Sequence, residues 1–88
     1  MFYVYVLKSQ KCDELYIGST NDLKRRLVEH NKGKSSSTAP KRPYTLLYYE
    51  AYVAESDARR RESMLKLRGQ ARKQLIGRLS QTLLQIKS

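Results

Sequence analysis

The amino-acid sequence predicts an α+β fold of three strands and about three helices. Two runs with the period-two alternation of a strand, residues 2–8 and 15–18, are separated by a short polar stretch. A third apolar and aromatic run covers residues 44–53, and apolar residues recur at helical spacing in the segments between and after these runs.

Each element has its own signature. Residues 2–8 put Tyr3, Tyr5 and Leu7 on one face and Phe2, Val4 and Val6 on the other. Residues 9–14 are polar and turn-like, so the first two runs read as an antiparallel hairpin with a longish loop, and Cys12 falls in that loop as an exposed bystander. Ser19-Thr20-Asn21-Asp22 offers four consecutive N-cap residues, Leu23, Leu27 and Val28 follow at helical spacing, and Gly33 suits the left-handed position just past a helix. The first helix is therefore expected over about residues 21–32. Residues 33–43 contain two prolines and three consecutive serines and read as a mobile loop. Residues 44–53 are apolar on both faces, which predicts the central strand of the sheet. Ser56 or Asp57 caps a second helix that stops near Gly69. A third helix begins at about Gln70, with Ala71, Leu75, Leu79, Leu83 and Ile86 as its apolar stripe, and Gly77 interrupts it at about 1 kcal/mol relative to alanine.

Composition narrows the class. Eighty-eight residues, 40% hydrophobic and 30% charged, suit one small folded domain with a single modest core, expected to span residues 1–88. The longest apolar stretch, residues 2–7, is far short of the roughly 20 residues a bilayer span needs, and no basic-then-apolar leader precedes it, so a cytoplasmic location is expected. One cysteine allows no internal disulfide, and one histidine without a cysteine pair excludes thiolate and imidazole zinc clusters. Any metal must then be held by oxygen. The 18 Lys and Arg against 8 Asp and Glu leave a net charge of +10 and a pI near 10.0, which favours a polyanionic partner. After Asp57 the only acid is Glu62, against nine Lys and Arg.

Three groups of residues could carry chemistry. On the first helix Leu23, Arg26, Leu27 and His30 fall at i, i+3, i+4 and i+7, so Arg26 and His30 share the stripe facing the sheet while Lys24 and Arg25 point away. Two such groups one turn apart can converge on a phosphate; spacing alone equally allows a snorkelling arginine and a histidine at the rim. On the second helix Ala58, Glu62 and Leu65 place the lone acid at the edge of the packing face rather than among the exposed Arg59, Arg60 and Arg61. A single carboxylate is what Mg²⁺ takes when water and phosphate complete its shell, although an arginine-paired helix carboxylate fits the same spacing. Seven tyrosines against one phenylalanine are the third group. Tyr5 and Tyr16 lie on the two hairpin strands as potential cross-strand neighbours, and cations near a phenol lower its pKa toward the range of a useful base. Tyr44, Tyr48, Tyr49 and Tyr52 read as core and sheet surface.

Tyr3-Val4-Tyr5, ten residues, Tyr16-Ile17-Gly18-Ser19, then Asp22-Leu23-Lys24-Arg25-Arg26 with His30, and Arg60-Arg61-Glu62 further on, together resemble the GIY-YIG nuclease domain, most closely its small stand-alone bacterial members. The resemblance covers essentially the whole chain. It implies a three-stranded antiparallel sheet flanked by helices and hydrolysis of a phosphodiester with one divalent ion, Mg²⁺ or Mn²⁺. On that reading Glu62 holds the metal, Arg26 stabilises the pentavalent phosphate, Tyr5 helps to activate the attacking water, and Tyr16 and His30 orient or assist. Gly18 would let the strand end turn tightly into the helix.

The expected function is a metal-dependent endonuclease acting on DNA, including branched or damaged structures of the kind met in DNA repair. The alternative is a non-catalytic DNA- or RNA-binding module on the same fold. A basic amphipathic helix lying on an anionic membrane is disfavoured, because the helical segments are short and lack Trp or Phe anchors. Candidate nucleic-acid contacts are Lys24, Arg25, Lys41, Arg42, Arg59, Arg68, Arg72 and Lys73. With no further DNA-binding domain in the chain, target choice is expected to depend on a protein partner.

Overall fold

Residues Phe2–Ser9 form strand β1, and Leu15–Thr20 and Tyr44–Tyr52 pair on either side of it as β2 and β3. The computed structural model describes residues 1–67 and 69–87, apart from the side chains of 86 and 87, so the expectations for Arg68 and the Ile86 side chain lie outside the described residues. Both pairings are antiparallel and the strand order is β2-β1-β3. The central strand is thus β1, correcting the expectation that residues 44–53 would be central. Val4, Tyr5, Val6 and Leu7 are each at most 2% exposed, as a strand covered on both faces requires.

A bulge explains why β3 resembles a central strand. Val6 pairs with Tyr48 and Leu7 with Leu46, so Leu47 is an extra residue on β3 and the side-chain alternation reverses across it. Tyr44 and Leu46 join Tyr5 and Leu7 on one face, whereas Leu47, Tyr48 and Tyr52 pack with Val4 and Val6 on the other. An edge strand that serves one layer with its first half and the other layer with its second half carries apolar residues in both phases.

Helix α1 (Leu23–Asn31) covers the Tyr5 face through Leu23 and Leu27. Its N-cap is Asp22, whose side chain accepts from the Arg25 N–H at 3.1 Å, and Gly33 with φ 78° follows its C-terminus in the left-handed conformation expected there. The opposite face is covered by α2 (Glu55–Lys66), α3 (Gln70–Arg78) and α4 (Ser80–Lys87), which contribute Ala58, Leu65, Leu75 and Leu79 to the core. Helix α2 starts before Ser56, with Ala54 at its N-cap and Glu55 and Asp57 in its first turn, where the helix dipole favours acids without a side-chain cap. It ends at Lys66, short of the Gly69 expected. The third helix divides in two at Leu79, whose N–H is shared between the Leu75 and Ile76 carbonyls. Leu75 and Leu79 are nevertheless buried together and Leu83 packs beside them, so the stripe survives the break.

Two further departures shape the site. The loop expected to be mobile contains a short 3-10 turn, Ala39–Lys41, and Thr38 within it is fully buried, so it is anchored to the core. Arg61, expected among exposed arginines, turns under the sheet and donates to Glu50 of β3 at 3.0 to 3.2 Å, while Tyr48 also donates to Glu50 at 2.6 Å. This pairing pins α2 to β3 and leaves the next residue, Glu62, directed at β2. No helix among the described residues is long and apolar enough to cross a membrane.

Candidate active site

Tyr5 faces the α1 layer, and its register partner on β2 is Gly18. A Cβ built on Gly18 would stand 2.5 Å from Tyr5 Oη and 2.6 Å from Cζ, so the phenol lies across the glycine backbone toward the free edge of β2. Gly18 therefore permits close approach rather than the tight turn expected of it; the positive φ among the glycines belongs to Gly33. Tyr16 pairs with Leu7, making it the diagonal rather than the direct neighbour of Tyr5, with ring centroids 6.3 Å apart.

The i, i+4 pair on α1 closes over this phenol. His30 is 0% exposed, with Nε2 2.8 Å from Tyr5 Oη and Nδ1 2.8 Å from Thr38 Oγ1. The Tyr16 and Tyr44 rings lie 5.0 and 6.3 Å from the imidazole. Arg26, one turn earlier, donates to Glu29 Oε1 at 3.2 Å, and its charge acts on both Tyr5 and His30. The Thr38 hydroxyl gives its proton to the Ser35 carbonyl, so it accepts from the imidazole, and His30 Nε2 is left to accept from the Tyr5 hydroxyl. His30 then donates from Nδ1 to Thr38, whose hydroxyl points on to the Ser35 carbonyl at 3.5 Å. Thr38 carries no sequence signal: a threonine in a serine-rich loop is indistinguishable from its neighbours until the loop is folded against α1.

Burial dominates the acid–base properties of this cluster. It pushes the Tyr5 pKa up to about 12 against the opposing pull of Arg26, so the acidified phenol expected from nearby cations is not what the fold provides. Burial, reinforced by the Arg26 charge, holds His30 below its ordinary value and keeps it neutral. In the unfolded chain the same histidine titrates near 6.5, so below that pH the unfolded state binds a proton that the folded state resists. Stability is expected to be fully present above about pH 6.5 and to fall as pH drops through that value. A urea midpoint unchanged between pH 7.5 and 5.5 would contradict a buried neutral imidazole.

Glu62 approaches the same edge from the other side of the sheet. Ser19, adjacent to Gly18 and so on the opposite face of β2, donates from Oγ to Glu62 Oε1 at 2.6 Å, and Lys66 Nζ lies 2.8 Å from Oε2. Burial works against the charge of this carboxylate, but the hydrogen bonds from Lys66 and Ser19 outweigh it and hold the pKa below the usual range. The Glu62 charge also acts on Tyr5. The Gly18-Ser19 step thus carries the phenol, guanidinium and imidazole on one face and the carboxylate on the other, and the site wraps around the β2 edge. Ser19 stands in the sequence reading as an N-cap candidate and as the end of the Tyr16-Ile17-Gly18-Ser19 motif, with no chemical role, and the fold brings it to Glu62. No group of three or more His, Cys, Asp or Glu that could hold a metal occurs among the described residues. One carboxylate beside a hydroxyl is an all-oxygen set that fits Mg²⁺ or Mn²⁺ when water and a phosphate complete the shell.

Among the described residues the candidate nucleic-acid contacts are spread over α1, the hairpin-loop end, α2 and α3. Lys24 and Arg25 are exposed on α1. Lys41 is paired with Glu14 at the hairpin loop, and Arg42 folds back on the Ala39 carbonyl at 2.7 Å. Arg59 pairs with Glu55 at 3.3 Å and its charge acts on Glu62. Arg72 and Lys73 line an open cleft of about 750 Å³ with Lys8, Leu15 and Ile76, toward the hairpin-loop end of the sheet.

Comparison with known proteins identifies the family of the chain. Residues 1–75 match the GIY-YIG catalytic domain. A UPF0213 protein of Bacillus pumilus is 42% identical over 65 residues, 73% of this chain and 65% of that protein. One from Streptococcus agalactiae is 43% identical over 67 residues, 73% of each chain. The solution NMR structure of the UPF0213 protein BH0048 from Bacillus halodurans is similar at 29% identity with a TM-score of 0.55, covering 91% of this chain and 86% of that one. With a match that takes in all three strands, α1 and α2, the chain belongs to the GIY-YIG family.

Proposed function

We propose that this protein is a metal-dependent endonuclease that hydrolyses phosphodiester bonds in DNA, with Tyr5, Tyr16, Arg26 and His30 as its catalytic residues and Glu62 as its metal ligand. The observation that carries this reading is the placement of the Tyr5 hydroxyl, on a residue 2% exposed, bonded to His30 Nε2 and within the fields of Arg26 and Glu62 at a sheet edge. Packing alone gives no reason to bury a phenol and an imidazole together beside a guanidinium, because each demands a partner at the cost of apolar contact.

The roles follow from the hydrogen-bond directions. Arg26, its side chain 31% exposed beside Tyr5, offers its remaining N–H groups to a phosphate at the edge and neutralises the charge that grows on the equatorial oxygens. Water attacking that phosphate hands its proton to Tyr5 Oη as Tyr5 passes its own to His30 Nε2. Moving both protons together avoids a free phenolate, which burial disfavours. The Nδ1 hydrogen bond to Thr38 keeps the accepting lone pair on Nε2 throughout. Tyr16 walls the imidazole and limits water around it. Glu62 and Ser19 would hold the divalent ion, which when bound supplies polarisation of a phosphoryl oxygen and stabilises the leaving oxygen.

The direct test is incubation with plasmid, single-stranded and branched DNA in Mg²⁺, Mn²⁺ or EDTA. Metal-dependent cleavage is expected. Binding without turnover under every metal condition would leave a basic nucleic-acid-binding module on this fold. Binding itself is expected to weaken steeply with salt, because each phosphate contacted releases counterions, and to discriminate little between sequences. A flat affinity from low to physiological salt, measured by fluorescence anisotropy, would contradict that.

A further inference from the structure

The cation already seated on Glu62 is the feature the proposed mechanism leaves unused. Lys66 lies one turn after Glu62 on α2, and its Nζ is 2.8 Å from Glu62 Oε2, while Oε1 is taken by Ser19. The two partners differ in freedom. The Glu62 side chain is 20% exposed and held by β2, whereas that of Lys66 is 53% exposed on a flexible four-carbon stem at the last residue of the helix. A glutamate four residues before a lysine is the favourable order for such a pair, and the helix C-terminus adds attraction for the ammonium. With Oε1 committed to Ser19, Oε2 is the oxygen open to a second cation, and an ammonium and a divalent ion cannot share it without strong like-charge repulsion.

We propose that Lys66 is a phosphate-binding residue held in reserve: its ammonium and a divalent ion compete for Glu62 Oε2, and loading the ion releases Lys66 to a phosphate of the nucleic acid. The inference rests on the nuclease reading for the identity of the two ligands, the ion and the phosphate. In the metal-free protein Glu62 and Lys66 neutralise one another, and the β2 edge offers Arg26 and the Glu55-paired Arg59 as its cations. Exchange at Glu62 adds the charge of the ion and frees that of Lys66 in the same step, so attraction for a phosphodiester rises when the site becomes competent. A lone surface ion pair has no such consequence, because neither of its members is wanted elsewhere.

The test compares the parent with Lys66→Met, which keeps the stem and removes the charge, and with Glu62→Gln. Mn²⁺ binding is read without DNA by electron paramagnetic resonance of the free ion, and affinity for a short duplex is read by anisotropy in EDTA and in Ca²⁺. Lys66→Met is expected to bind Mn²⁺ about two- to fivefold more tightly, the range a partly screened ion pair is worth. It should lose distinctly more duplex affinity in Ca²⁺ than in EDTA, where only the neutralisation of Glu62 is lost, and Glu62→Gln should bind the duplex more tightly than the parent in EDTA because its Lys66 is already free. Unchanged Mn²⁺ affinity, or an equal loss of duplex affinity in EDTA and Ca²⁺, overturns the proposal and makes Lys66 an ordinary surface cation. Mn²⁺ binding that does not depend on Glu62 overturns it as well. None of these measurements reads cleavage, so an inactive protein that passes them refutes the hydrolytic reading alone, and an active one that fails them refutes only the exchange.

Discussion

Arg26→Ala is expected to lower the cleavage rate by about 10² to 10³, the usual loss when one preorganised donor to a developing oxyanion is removed. The size of the effect follows from position. Arg26 donates to Glu29 Oε1 at 3.2 Å with its charge acting on Tyr5 and His30, so its guanidinium is held in place before substrate arrives. Arg25 is the natural control, because it lies next in sequence and leans on the same Glu29, at 4.0 Å, yet its side chain is 62% exposed on the outer face of α1. Arg25→Ala should therefore weaken binding slightly and leave single-turnover rates near those of the parent. Equal, binding-only effects for the two variants would remove Arg26 from the catalytic assignment.

Glu62→Gln should abolish measurable cleavage while duplex binding in EDTA is retained. The amide keeps the size of the side chain and can still accept from Ser19, but it lacks the charge a divalent ion requires. Removing one negative charge from a strongly basic protein cannot by itself weaken its hold on a polyanion. Full retained cleavage would overturn the metal assignment, and simultaneous loss of cleavage, binding and the folded state would identify Glu62 as a structural ion-pair residue.

Much of this site is legible in the chain, and the reasons are specific. Arg26 and His30 share a face because helical geometry at i, i+4 is the same in any sequence, and the buried His30 with a half-buried Arg26 follows that spacing. Glu62 falls at the edge of the α2 packing face for the same reason. The boundaries of β1 follow from period-two patterning and those of β3 from an apolar run between polar segments, which is why both begin and end within a residue of expectation. Long-range relations carry no such local code. The order of strands was misread because a single extra residue, Leu47, makes an edge strand apolar in both phases. Arg61 was misread because its partner, Glu50, belongs to a strand eleven residues away whose facing side that same bulge decides.

By itself the sequence determined the elements, the basic charge, the exclusion of sulfur- and imidazole-held zinc, and the residues that share one helical face, since each depends on residue type and on spacing within one element. Only the tertiary structure decided what those residues meet. It laid the Tyr5 phenol across Gly18, placed Thr38 under His30, brought Ser19 to Glu62 around the β2 edge, and raised rather than lowered the Tyr5 pKa. The physical reason is that hydrogen-bond partners and desolvation are properties of the packed interior, set by which elements cover which face, and the environment of a polar group is fixed only when those layers close.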